Sequence, residues 1–171
     1  MDKERIISAK PVESIMSDLI ESKVLNILVD ENISYDNMCR ILKALYLYIC
    51  RADYEIMLYI VRNYDEEKLL SDAKDMGLLS SFRYIDGDDA DRMLSYLLSC
   101  DMMITDNIGS ELLSLSRRFY LPRILISEEG SLKFEDGILK LKADPMDICS
   151  AFKLVKDKEH RDELSGHKRL V

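Results

Sequence analysis

A short polar loop, residues 106–111, is the first place where this sequence could do chemistry. It follows an apolar run that is typical of a buried strand, and it precedes an amphipathic helical pattern. Free backbone N–H groups at the start of a helix attract anions. We therefore select four residues as candidate ligand contacts: Asn107, Gly109, Ser110 and Glu111. The alternative is a structural role, in which Asp106 or Asn107 caps the helix and Glu111 complements its dipole.

Two further polar positions follow other apolar runs. Glu128, Glu129 and Gly130 come directly after the run that ends near residue 127, and Arg62 follows the run at 54–61. In an open parallel sheet, ligands bind beyond the carboxyl ends of the strands. We therefore include these four residues as candidate contacts, against the alternative that they belong to solvated polar loops.

Other kinds of catalytic or metal site find little support. The two histidines, His160 and His167, lie in a charged tail, and the four cysteines lack the spacing of a zinc or redox motif. Ser110 lacks the glycine-flanked context of a nucleophilic serine. We expect no metal and no other cofactor, we assign no catalytic residue, and we leave open whether the chain is an enzyme.

Strand and helix patterns alternate along the chain, which predicts βαβ units with right-handed crossovers. The strands are nearly continuous apolar runs, as expected for a sheet covered on both faces. We predict an α/β, Rossmann-like three-layer sandwich with a mainly parallel sheet of about 5–6 strands, formed by one domain over residues 1–171. The predicted central order is 3-2-1-4-5, with strands near 23–29, 54–61, 81–85, 101–105 and 123–127.

The predicted helices lie between and beyond these strands. Residues 1–22 are interpreted as a helical extension, with one amphipathic helix over 4–20. Asp144 and Pro145 have the residue types of an N-cap and a first helical position. Further helices are predicted near 36–51, 65–76, 90–99 and 145–156, with short extended pieces at 131–134 and 138–141.

The helix over 36–51 is apolar on two sides, whereas a surface helix needs only one buried stripe. We expect the second side to be covered by residues 4–20, or alternatively by a partner. Any homo-oligomer is expected to use these helical faces.

Composition limits the partners and the location. The formal charge of −8 over 171 residues argues against nucleic acid and anionic membranes. No apolar run is long enough to span a bilayer, and the start lacks the apolar region of a signal peptide. We therefore expect a cytoplasmic protein without a transmembrane segment.

The order of elements over about residues 23–170 resembles the C-terminal, donor-binding domain of GT-B glycosyltransferases of the retaining group 1 type. The segments that carry the resemblance are ILVDENISYDNMCRILKAL, YEIMLYIVRNYDEEKLLSDAKDMGLLSSFRYI, DADRMLSYLLSCDMMITD and ILKLKADPMDICSAFKLVKDKEHRDEL. The resemblance implies a nucleotide-sugar as ligand. It also implies a separate acceptor-binding domain, because a GT-B active site lies between two domains.

Several family motifs are degenerate. The first loop of the family carries two basic residues that hold the donor diphosphate, whereas Asp30 and Glu31 stand here without a base before Arg40. The family's pair of glutamates falls at Asn107 and Leu115. Each charge-assisted hydrogen bond contributes about 1.5–3 kcal/mol, so losing both diphosphate contacts weakens binding by roughly 10² to 10⁴. The sequence therefore predicts weak binding of a nucleotide-sugar.

Two functional classes remain. The chain is either a glycosyltransferase-like nucleotide-sugar binder that is not catalytically competent alone, or a non-catalytic regulatory or protein-interaction module on the same fold. The loops at the carboxyl ends of the strands are rich in acids, and Arg62 is their one base in the sequence. We expect this acidic face, including Asp30 and Glu31, to be solvent-exposed.

Overall fold

The computed structural model describes residues 1–51, 55–61, 66–129, 133–135 and 137–166. Its centre is a single seven-stranded sheet with helices on both faces, which confirms the predicted Rossmann-like α/β class. The strands are β1 (Leu25–Val29), β2 (Ile56–Val61), β3 (Phe82–Ile85), β4 (Met102–Thr105), β5 (Arg123–Ser127), β6 (Lys133–Glu135) and β7 (Ile138–Lys142).

The strand order is β3-β2-β1-β4-β5-β7-β6, so the predicted order of the first five strands is confirmed. Every neighbouring pair is parallel except β6 and β7, which are antiparallel. The sheet has seven strands rather than five or six, because both short extended pieces join it. Gly137 has a φ of +73° in the connection between them, a conformation that glycine adopts without a steric penalty.

Eight α-helices accompany the sheet within the described ranges. They are α1 (Lys3–Ile7), α2 (Glu13–Glu21), α3 (Tyr35–Arg51), α4 (Glu66–Asp75), α5 (Ala90–Ser99), α6 (Glu111–Arg118), α7 (Pro145–Val155) and α8 (Lys158–Ser165). The carboxylate of Asp144 accepts a hydrogen bond from the N–H of Met146 at 2.8 Å, and Pro145 is the first residue of α7. The predicted cap of this helix is therefore confirmed.

The prediction of one helix over residues 4–20 is wrong, because the chain forms α1 and α2 with a break around Pro11. Proline lacks a backbone N–H and disfavours a helical conformation in the residue before it. Ile6 of α1 and Leu19 of α2 are nevertheless both buried in the same hydrophobic core, on the side of the sheet that α5 covers.

The sheet separates two hydrophobic cores. Successive side chains of a strand point to opposite faces, and accordingly Ile27 joins one core while Leu28 joins the other. The first core is closed by α3, α4, α7 and α8, and the second by α1, α2, α5 and α6.

The expectation that residues 4–20 cover the second side of α3 is wrong. α3 packs mainly against α7, where the rings of Tyr48 and Phe152 meet edge to face with centroids 6.2 Å apart. α1 and α2 lie across the sheet from α3, in the other core. Two large hydrophobic side chains of α3 are exposed, Tyr46 at 46% and Ile49 at 40%.

Among the residues that the structure describes, no helix combines the length and the apolar character that crossing a bilayer requires.

Replacing Phe152 by Ala should lower the free energy of unfolding by about 3–5 kcal/mol, because it leaves a cavity between α7 and α3. Urea denaturation followed by circular dichroism measures this change. The matched control is Phe134→Ala in β6, where the side chain is 53% exposed. A loss of similar size in the control would contradict the assignment of Phe152 to the core between these two helices.

Candidate functional site

The candidate site lies at the carboxyl ends of β1, β4 and β5. The sheet reverses its order of addition at β1 and β4, and in such folds the loops on either side of the reversal diverge and leave a crevice. The loops that follow these strands contain most of the residues selected from the sequence. Their hydrogen bonds decide which polar groups are available to a ligand.

Asp30 is buried rather than exposed, which corrects the expectation for the first loop. The residue is 1% exposed. Its carboxylate accepts a hydrogen bond from the Thr105 hydroxyl at 2.7 Å and another from the backbone N–H of Glu31 at 2.8 Å. A buried carboxylate is tolerated only when such donors replace its hydration. Asp30 therefore fastens β1 to β4 and does not present its charge to a ligand.

Three further hydrogen bonds hold the loop after β4. The hydroxyl oxygen of Thr105 accepts the N–H of Asn107 at 3.1 Å. The carboxylate of Asp106 accepts the N–H of Ser34 at 3.0 Å and the side-chain amide of Asn37 at 2.8 Å, which ties this loop to the start of α3. The loop is thus held in place by side chains from two neighbouring elements.

Ser110 is the N-cap of α6, where the sequence favoured Asp106 or Asn107 as the structural alternative. Its hydroxyl oxygen accepts the N–H groups of Leu112 at 3.1 Å and Leu113 at 3.3 Å. Loop geometry explains the difference, since only the residue directly before the first helical turn can reach these donors.

The N–H groups that were expected to face an anion are partly occupied. Gly109 donates its N–H to the side-chain oxygen of Asn107 at 2.9 Å, and Ser110 donates its N–H to the carbonyl of the same residue at 3.1 Å. An anion would have to displace these bonds. Asn107, Gly109 and Glu111 are exposed, whereas Ser110 is buried.

The rim of the crevice beside β2 and β3 is closely packed. A Cβ atom added to Gly87 would come within 2.9 Å of Val61 Cγ1 and 3.6 Å of Glu31 Oε2. The amino group of Met1 lies 3.8 Å from Oε1 of Glu31. The second acid of the first loop therefore faces the N-terminal segment of this chain.

A more open cleft of about 560 Å³ lies beyond β4 and β5. Ile108 from the loop after β4 borders it, together with Ser127 and Glu129 at the end of β5. Glu128 is exposed beside Glu129. Of the selected residues that the structure describes, Glu129 lines this cavity, whereas Asn107, Gly109, Ser110, Glu111 and Glu128 do not; Ile108 brings the loop after β4 to its edge. Arg62 and Gly130, which were also selected, lie outside the described residues.

The cleft contains two lysines that the sequence analysis missed. Lys133 of β6 and Lys140 of β7 are opposite each other in the antiparallel register, and both line the cleft. They share Glu135, whose carboxylate lies 3.4 Å from the Lys133 ammonium and 3.2 Å from that of Lys140. The hydrogen bond from Lys140, with the nearby charge of Lys133, lowers the pKa of Glu135. The sequence alone did not show that β6 pairs with β7, and this pairing brings the two lysines together.

The formal charges of this cleft balance. Lys133 and Lys140 are opposed by Glu129 and Glu135, and all four side chains line the same cavity. An anionic ligand would gain from the lysines only by competing with Glu135. Among the described residues, no group of three or more His, Cys, Asp or Glu side chains is placed to hold a metal ion.

Comparison with known proteins identifies the fold. No family model matches this chain, and no curated protein matches its sequence. Solved structures do match. The C-terminal domain of the glycosyl transferase group 1 family protein LpcC from Francisella tularensis aligns at a TM-score of 0.63 and 14% identity, over 99% of this chain and 94% of that domain.

Two larger proteins align over about half of their length. HepE from Anabaena, in complex with UDP, has a TM-score of 0.67 and 10% identity, over 99% of this chain and 50% of its own. MnaA from S. aureus, in a structure with UDP, has a TM-score of 0.64 and 18% identity, over 91% and 43%. The chain has the fold of a C-terminal GT-B glycosyltransferase domain, as the resemblance implied.

Replacing Thr105 by Val keeps the side-chain shape but removes the hydroxyl between Asp30 and Asn107. The buried carboxylate then loses a donor, so the free energy of unfolding should fall by about 1.5–3 kcal/mol in urea denaturation. Ser150→Ala serves as the control, because that exposed hydroxyl donates to the Met146 carbonyl within α7. An unchanged stability in Thr105→Val would contradict the role assigned to Asp30.

Proposed function

We propose that this chain is a nucleotide-sugar-binding domain of the GT-B type, with weak affinity and no catalytic competence by itself. The observation that carries the proposal is the cleft beyond β4 and β5, where the two segments around Ile108 and Glu129 meet beside Lys133 and Lys140. Lysine ammonium groups are suitable partners for phosphate oxygens.

The comparisons support the class of ligand. Both HepE and MnaA are described with UDP, and this chain shares the fold of the part of each protein that it covers. At identities of 10% and 18%, the shared fold supports the class of ligand and not the individual contacts. We place the candidate contacts at Asn107, Gly109, Glu111, Glu128 and Glu129, with the two lysines added.

Weak affinity follows from the electrostatics of the site. The carboxylate of Asp30 is hydrogen-bonded inside the fold, and the sequence of the loop after β1 contains no basic residue. The N–H groups of Gly109 and Ser110 are already bonded. A diphosphate therefore has to rely on lysines that Glu135 partly neutralises.

The proposed lack of independent activity is supported by the fold comparison. The chain spans about half the length of the larger structures that it matches. The resemblance implies a site between two domains, so a separate acceptor-binding domain, in the same or another polypeptide, would have to complete it. Two statements stay predictions from the sequence: that residues 1–22 extend a single domain, and that the protein is cytoplasmic.

The second candidate function is a non-catalytic regulatory or protein-interaction module. The hydrogen bonds of Asp30 favour this alternative. In the family this loop holds the diphosphate, whereas here its Asp30 carboxylate bonds to Thr105 and Glu31 of the same chain. The exposed Tyr46 and Ile49 on α3 offer an apolar surface for such contacts, including a homo-oligomer through helical faces. A total absence of nucleotide binding would favour this alternative.

Titration with UDP, GDP and their sugars, followed by NMR, distinguishes the two candidates. We expect saturable binding of at least one nucleotide with a Kd of about 1 mM, equivalent to roughly −4 kcal/mol. Lys140→Ala should raise that Kd by about three- to tenfold, since one partly exposed charge-assisted contact is lost. Lys158→Ala is the control, because Lys158 pairs with Asp162 on α8 and does not line the cleft.

Micromolar binding that is insensitive to Lys140→Ala would contradict this account and indicate a phosphate site elsewhere. No binding at about 10 mM would reject the nucleotide-binding proposal in favour of the interaction module.

A further inference from the structure

A basic cleft lies at the opposite end of the sheet from the candidate nucleotide site. It has a volume of about 700 Å³ and is lined by the end of α6, the start of β5 and the turn before β7. Four positive side chains from three elements meet there, although the chain as a whole has a formal charge of −8. They are Lys3, Arg117, Arg118 and Arg123.

Arg123 forms the base of this cleft. The residue is 9% exposed, and its guanidinium donates a hydrogen bond to the carbonyl of Gly137 at 3.1 Å. A Cβ atom at position 137 would lie 2.6 Å from the same guanidinium nitrogen, so glycine permits the close approach. Burial lowers the pKa of Arg123, and the positive charge of Arg117 lowers it further.

The other three cations line the same cleft as Arg123. The ammonium of Lys3 donates to the hydroxyl of Ser114 on α6 at 3.0 Å, which holds the N-terminal segment against the cleft. Arg117 and Arg118 are exposed, and neither forms an ion pair within the described part of the chain. Among the described lining residues, none is acidic.

A purely structural role explains only part of this arrangement. Arg117 and Arg118 lie in the last turn of α6, where positive charge is favourable. The dipole of α6 does not account for Lys3 and Arg123, which come from α1 and β5. Like charges gathered in one concave surface repel one another unless an anion offsets them.

Tyr120 also lines the cleft, in a backbone conformation that is uncommon for tyrosine. Its φ is +56°, and it occupies the position after α6 at which glycine is usual. The bonds from Tyr120 N–H to the Arg117 carbonyl and from Leu121 N–H to the Ser116 carbonyl complete the helix-ending motif. This backbone conformation is strained for a residue other than glycine. The side chain is 48% exposed and lines the same cleft.

We propose that this cleft binds a soluble phosphate monoester, with its phosphate among the Arg117, Arg118 and Lys3 cations above Arg123 and its organic part against Tyr120. The site is separate from the nucleotide cleft, because it lies at the amino ends of β5 and β7 and shares no lining residue with it. Arginine is well suited to this ligand because its planar fork matches phosphate oxygens.

Titration of the full chain with glucose 1-phosphate, inorganic phosphate and glucose, followed by NMR, tests the proposal. We expect saturable shifts around residues 117–123 with glucose 1-phosphate, weaker binding of inorganic phosphate, and none with glucose. The double variant Arg117→Ala, Arg118→Ala should weaken binding at least about tenfold. Arg92→Ala, which removes an exposed charge on α5, and Lys140→Ala in the nucleotide cleft should leave it unchanged.

Tyr120→Gly separates a binding role from a structural one. Glycine removes the strain, so the urea midpoint should rise, while the preference for glucose 1-phosphate over inorganic phosphate should disappear. Equal loss of stability and binding would contradict the role given to Tyr120.

Three results would overturn the proposal as a whole. They are no saturable binding at about 10 mM ligand, binding that survives the double arginine variant, and sedimentation with phosphatidic acid vesicles without any binding of soluble phosphates. The last result would identify a membrane surface instead. Failure of nucleotide binding in the other cleft does not affect this test, because Lys140→Ala and the arginine variants report on the two sites separately.

Discussion

The parallel pairing of β1 with β4 is the contact on which the rest of this structure depends. Val29 lies beside Ile104 in the register, and the N–H of Asp30 continues the ladder by donating to the Ile104 carbonyl at 3.1 Å. The carboxylate of Asp30 also accepts a hydrogen bond from the Thr105 hydroxyl, which links the ends of the two strands. This junction is the reversal point of the sheet, so its geometry sets the positions of the loops on both sides.

Fastening the junction has a consequence for ligand chemistry. A carboxylate that is buried for structural reasons must keep its donors, because losing one leaves an uncompensated charge. Asp30 and Asp106 bind backbone and side-chain donors of this chain. The polar groups that remain accessible to a ligand therefore lie on the exposed loop residues and on Lys133 and Lys140 of the last strand pair.

The distribution of charge also differs between the two ends of the sheet. Acids predominate in the loops at the carboxyl ends, whereas arginines and a lysine gather at the amino ends of β5 and β7. A net charge of −8 conceals this separation, since it is a sum over the whole surface. A negative net charge disfavours extended anions such as nucleic acid, whereas a small anion responds to the local charge of one cleft.

Local interactions made much of the fold predictable from the sequence alone. Apolar periodicity identified the strands and most of the helices, and Asp144 with Pro145 marked the start of α7, because caps and periodicity depend on residues a few positions apart. Only the tertiary structure decided that α7 rather than residues 4–20 covers α3, that Asp30 is buried, and that Lys133 meets Lys140. These outcomes depend on which distant segments pack or pair, and strand register and the choice of sheet face are settled by packing across the whole chain.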